Sequence, residues 1–184
     1  MEASIFNPIF NEVVTKKLQE YGYLSKGQCL YKTKGETVAA LLRRTYRGDQ
    51  GTNFIFCIRH RFVRDLKDLQ TKNIYLKDAI DYPFRIAMVN FKEEDLFGIT
   101  YEPINYLRPS EIGYEGIYYG DIPIEDTDKI VEKLNRLTNN IINYEGKIIN
   151  LLTPQRCQDL IEKKSTGAFI ERMWIEDYKN FLEN

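Results

Sequence analysis

The stretch that decides the fold is Thr37–Phe62, "TVAALLRRTYR-GDQG-TNFIFCIRHRF", in which two β-prone runs flank a short glycine-bearing turn. Such a pair reads as an antiparallel hairpin. With Asp49 and Gln50 as the loop, residues pair where their numbers sum to 99, so Arg43 faces Phe56 and Ala40 faces Arg59. One face then carries Ala39, Leu41, Phe54, Phe56, Ile58, His60 and Phe62, and the other carries Arg44, Tyr46, Arg59 and Arg61. The first face is the expected core, interrupted by Arg43 and His60. Arg59 and Arg61 are expected to point away from it, toward carboxylates or solvent.

Upstream, Asn7 and Pro8 suit a helix start, and Ile9, Phe10, Val13, Val14, Leu18 and Tyr21 share a face before Gly22 ends the helix. A short strand around Cys29 to Lys32 follows, bounded by Gly27 and Gly35. Downstream, "FRIAMVNF", Phe84 to Phe91, reads as another strand. The prolines and glycines of Tyr101–Asp121 leave room only for short strands. From Asp126 the period changes. Ile130, Leu134, Leu137, Ile141, Tyr144, Ile148 and Leu151 repeat at alternating spacings of 4 and 3, the stripe of a long packed helix. Thr153 and Pro154 start a second helix, and Ile170, Met173, Trp174, Tyr178 and Phe181 define a last one. Strands first and helices last predict an α+β fold: an antiparallel sheet with an N-terminal helix and two to three C-terminal helices packed against it. A chain of 184 residues is long enough for one well-buried core and short for two, so residues 1–184 read as a single domain. Residues 1–122 supply its helix and sheet, and 123–184 its C-terminal helices.

Composition removes several kinds of chemistry. No run approaches a membrane span, and the acidic start "MEASIFNPIF" does not resemble a secretory leader, which predicts a cytoplasmic protein with no membrane partner. Cys29, Cys57 and Cys157 are odd in number and far apart, the pattern of reduced buried thiols. Phosphate-binding loops, dinucleotide fingerprints, zinc-protease helices and nucleophile elbows are all missing. A single histidine nearly excludes triads and multi-histidine metal sites. No catalytic residue, cofactor or metal is expected. His60 reads as a hydrogen-bonded strand histidine, with a general base as the rival role.

Charge is unevenly distributed. Residues 1–64 hold 11 Lys+Arg against 5 Asp+Glu, whereas Glu93–Asp128 holds ten acids against Arg108. Within the acidic part, Tyr101, Tyr106, Tyr114, Tyr118 and Tyr119 lie among Glu102, Glu111, Glu115 and Asp121. Tyrosines serve as stiff amphipathic anchors and acids steer a basic partner. Tyr101, Tyr106, Glu111, Tyr114, Glu115, Tyr118, Tyr119 and Asp121 are therefore the candidate partner-binding residues. This leads to a non-catalytic binding protein for a basic protein partner, as an immunity or inhibitor protein is. The alternative for the same tyrosines is the half-exposed face of a small sheet.

A rival function rests on Arg44, Arg59, Arg61 and Arg64, which with Tyr46 compose a candidate nucleic-acid surface. Asp65-Leu66-Lys67, with Asp49 or Glu36 upstream, extends it toward a metal-dependent nuclease. The plainer account pairs those arginines with the acids of the chain itself.

"LQEYGYLSKGQCLYK", followed by a hairpin ending in "NFIFCI", resembles the bacterial proteins grouped as the domain of unknown function 4304. The resemblance spans roughly residues 8 to 62. Tyr23 stands where that group has an aromatic after glycine, and "RRTYRGDQG" stands in place of its Gln-Lys-Ser type of stretch. The resemblance implies a bacterial origin and an α+β fold, and it transfers no catalytic residue.

Overall fold

The computed structural model describes residues 2–45, 51–65, 78–103, 115–120, 123 and 126–184. The hairpin at its centre joins β3 (Thr37–Thr45) to β4 (Gly51–His60). Its register places Arg43 opposite Phe54 and Ala40 opposite Cys57, so paired numbers sum to 97 instead of 99. The slip is two residues. Because side chains alternate with period two, both faces survive it unchanged. Ala39, Leu41, Phe54, Phe56 and Ile58 belong to the main core as expected. Arg61 is exposed, while Arg59 leaves the main core only to be buried on the other side.

Two tight hairpins precede this pair. β1 (Leu24–Lys26) pairs with β2 (Cys29–Lys34), and β2 with β3, each across a two-residue loop. Gly27 and Gly35 occupy those loops at φ +62° and +57°, a left-handed conformation that a side chain disfavours. β5 (Phe84–Ile86) and β6 (Glu115–Tyr118) both pair antiparallel with β4, one along each half of it. The expected strand through Phe91 stops at Ile86. Beyond it the amides of Met88 and Val89 donate to the Glu115 carboxylate, and the Met88 carbonyl accepts from Asn140 Nδ2, so those groups serve no ladder.

Helix α1 is longer than its sequence signals suggest. It runs as α-helix over Ala3–Phe10, as π-helix over Asn11–Lys16 and as α-helix again over Lys17–Glu20. Asn7 and Pro8 thus lie inside it. Phe6, Phe10, Val14 and Leu18 are its buried residues, each four apart. In a regular α-helix such a series drifts by about 40° per step, and the wider π turn reduces the drift, keeping the four on one face. Phe10 stacks on Phe54 at 5.5 Å, and Phe6 on Tyr119 at 4.4 Å.

The C-terminal part follows its periodicity closely. α2 (Thr127–Leu151) buries Ile130, Leu134, Leu137, Ile141 and Ile148 against the same sheet face as α1. α3 (Pro154–Lys164) starts where Thr153 Oγ1 accepts from the Arg156 amide at 3.3 Å. α4 (Phe169–Glu183) buries Ile170, Met173, Trp174 and Tyr178, while Phe181 stays 40% exposed and stacks on Phe62. The fold is α+β as expected. Among the described residues, no helix is long and apolar enough to cross a membrane.

The opposite sheet face carries a smaller core of Cys29, Ala40, Leu42, Ile55 and Cys57, joined by Ala79 and Tyr82. β4 is consequently buried on both faces. Leu134→Ala should cost about 2–5 kcal/mol in urea unfolding, as a cavity in the main core, whereas the exposed Leu182→Ala should stay within about 0.5 kcal/mol.

Candidate functional site

Backbone ladders decide where the acidic segment can present side chains. Tyr101 and Tyr119 are both fully buried. Tyr101 Oη donates to Glu171 Oε1 at 2.8 Å and its ring meets Trp174 edge-on, whereas Tyr119 stacks on Phe6. These two are core residues, a correction to their place on a surface: large rings next to the sheet gain more by covering it than by facing water. Glu115 is turned inward as well, its oxygens 2.6–2.9 Å from the Met88 and Val89 amides. Burial raises its pKa above the usual carboxylate value, with those amides and Lys133 opposing the shift. Glu102 pairs with Lys164. Of the candidate tyrosines described, Tyr118 alone is exposed, at 50%. Tyr106, Glu111, Tyr114 and Asp121 lie outside the described residues.

The arginines of the rival reading do not form one surface. Arg44 Nη2 is 3.2 Å from Asp78. Arg59 is buried, and its Nε and Nη1 donate to the carbonyls of His60 and Asp81. Arg64 clasps Asp177 at 2.7 Å and Glu176 at 2.5 Å from α4. Of the four, Arg61 is the one left exposed with no ion pair among the described residues. This is the internal complementarity that the charge asymmetry allowed, although the acids involved lie in α4 and near Asp78 and not in the Glu93–Asp128 segment. Asp65 is buried, and Asp49 and Lys67 lie outside the described residues. Among the described residues no cluster of His, Cys, Asp and Glu is arranged to hold a metal.

His60 takes the structural role. It is buried, its Nδ1 lies 3.0 Å from Tyr178 Oη, and it stacks on Phe62. Burial, aided by the Arg59 charge, lowers its pKa to about 4. Cys157 is likewise buried, and burial pushes its thiol up to about 12, far from a nucleophile's range.

What the sequence did not single out is Phe97. The acidic "EEDLFG" winds into a 3₁₀ turn, Glu93–Gly98, closed at its start where Asp95 Oδ2 accepts from the Lys92 amide at 2.8 Å. Leu96 turns inward at 6% exposure and its neighbour Phe97 is left outside at 84%. A turn this short has one inward direction, so two adjacent large apolar residues cannot both be buried by it. That juxtaposition was the available sign. Beside the turn runs a groove of about 570 Å³ along β5. Its buried lining is Ile86, Phe91 and Ile99, and its exposed lining includes Glu94, Asp95 and Glu102. Among the described residues the lining, with Glu115, holds four carboxylates against one cation, Arg85, which is occupied with the carbonyls of Tyr82 and Glu102. Glu94 is only loosely engaged, 3.8 Å from Lys92, with both side chains exposed.

No family model, no curated protein and no solved structure matches this chain.

The buried histidine makes a pH prediction. A group whose folded pKa lies below its unfolded value of 6.5 stabilises the fold fully above that value, and the contribution is lost as pH falls toward about 4. Unfolding free energy attributable to His60 should drop by about 2 kcal/mol between pH 7.5 and pH 5. His60→Gln should flatten that part of the urea-monitored profile.

Proposed function

We propose that the protein is a non-catalytic binding protein whose acid-rimmed groove and exposed Phe97 take a Lys/Arg-bearing segment of a partner protein, as an immunity or inhibitor protein does. The observation that carries this reading is Phe97, almost wholly exposed in the same turn whose Glu94 and Asp95 line the groove. A single exposed apolar residue is ordinary, but an aromatic beside an apolar-floored groove with a carboxylate rim combines the anchor and the steering charge of a protein interface. The acids oppose an anionic ligand and attract a cationic one.

The reading keeps a basic partner and moves the anchor from the tyrosines to Phe97. Tyr118 on β6 is the other exposed aromatic among the described residues of the acidic segment. The nucleic-acid alternative gains nothing from arginines that are separately bonded to Asp78, Asp177 and backbone carbonyls.

Random peptides displayed on phage and selected on the full protein should enrich for Lys/Arg-containing sequences with an apolar residue. Phe97→Ala should weaken the best of them by about 2 kcal/mol in calorimetry. Glu94→Lys should slow association, with an effect that shrinks as salt rises. Enrichment of acidic or uncharged peptides, or binding indifferent to both substitutions, would overturn the proposal.

A further inference from the structure

Arg43 lies on the apolar face of β3 with a charge that no carboxylate among the described residues balances. Its guanidinium stacks over Phe10 at 4.4 Å and lies 5.3 Å from the Phe6 ring. Nε donates to Thr52 Oγ1 at 3.0 Å and Nη2 to Asn7 Oδ1 at 2.5 Å, both neutral acceptors. The Thr52 hydroxyl in turn donates to the Arg44 carbonyl at 3.0 Å, which fixes its lone pairs toward Arg43. Nη1 has no hydrogen-bond partner among the described residues. Half-burial lowers the arginine's pKa, the mark of a cation partly stripped of water. Such charges are ordinarily paired, and the unused edge of a held guanidinium is a ready oxyanion contact.

The surroundings supply the rest of a site. Arg43 lines a niche of about 90 Å³ between α1 and the β1–β2 hairpin, together with Asn11, Thr15, Ser25, Gly27 and Gln28. The polar part of the lining is thus hydroxyls, amides and a glycine backbone, and Phe10, Leu30 and Leu41 supply an apolar floor. Among the described residues no carboxylate lines the niche. Thr15 Oγ1 donates to Asn11 Oδ1, which directs the Asn11 amide nitrogen elsewhere as a donor. A Cβ at Gly27 would meet nothing within 4 Å, so the mouth of the niche is open there. The volume is that of about three waters, enough for one small oxyanion.

We propose that this niche binds a small oxyanion of the phosphate or carboxylate type, with Arg43 as the charged ligand and the Ser25–Gln28 turn and α1 polar groups completing the contacts. The site is separate from the acidic groove, and its ligand has the opposite charge.

The test is a ¹⁵N NMR titration of the full protein at constant ionic strength with inorganic phosphate, acetate and chloride. Saturable shifts at the amides of Ser25–Gln28 and at Arg43 Nε are expected, half-complete at millimolar concentration or below. Arg43→Gln should weaken them about tenfold or more. Should that variant fail to fold, the exposed pair Ser25→Ala and Gln28→Ala should weaken binding in an intact protein. Saturation by phosphate alone assigns a tetrahedral anion, and saturation by acetate too assigns carboxylate chemistry; both support the site. Shifts that stay linear, that chloride reproduces, or that persist unchanged in the variants would overturn it.

Discussion

Strand β4, Gly51–His60, is the constraint on which the structure depends, because three strands take their hydrogen bonds from it and both of its faces are covered. One edge pairs with β3. The other is shared end to end by β6 and β5. A strand buried on both faces must be apolar on both, and "FIFCI" is, with Phe54, Phe56 and Ile58 toward the helices and Ile55 and Cys57 toward the small second core. Polar residues enter only near the ends, and each buried one is bonded: Thr52 to Arg43 and the Arg44 carbonyl, Arg59 to backbone carbonyls, His60 to Tyr178. An unpaired polar group in such a position would cost more than its hydrogen bond returns.

The same bonding economy governs the charges. Buried Glu145 accepts from Tyr23 Oη at 3.1 Å and pairs with Lys32 at 3.2 Å, tying α2 to the strand and turn before it. Buried Glu171 gathers the Tyr101 hydroxyl, the Ser165 and Thr166 hydroxyls and the Thr166 and Ala168 amides ahead of α4. Glu115 closes the turn at Met88 and Val89. Acids committed in this way organise loops, and those left at the surface, Glu94 among them, set the field around the groove. Two surfaces of opposite character result: a groove rimmed with carboxylates beside an exposed phenylalanine, and a small niche held by an arginine whose partners among the described residues are neutral.

The face assignment of the central hairpin was legible because alternation alone separates Phe54, Phe56 and Ile58 from Arg59 and Arg61, and a slip of two residues does not disturb it. The α2 stripe was legible for the same reason, since a repeat of 4 and 3 from Ile130 to Ile148 has one packing solution. Boundaries were less so. Pro8 suggested a start that Phe6, needed in the core, overrides, and Glu115, 26 residues away, ends β5 by taking the Val89 amide.

By itself the sequence determined the fold class, the two faces of the central sheet, the helical end of the chain and the absence of familiar catalytic motifs, because these follow from local periodicity and residue type. Only the tertiary structure decided which aromatics of the acidic segment face water. Tyr101 and Tyr119 go inside because Trp174 and Phe6 arrive from distant helices to cover them, and Phe97 stays outside because its turn has one inward direction, taken by Leu96. Likewise the pairing of Arg64 with Asp177, and the lack of any such acid beside Arg43 among the described residues, depend on where α4 and α1 come to rest, which no local pattern encodes.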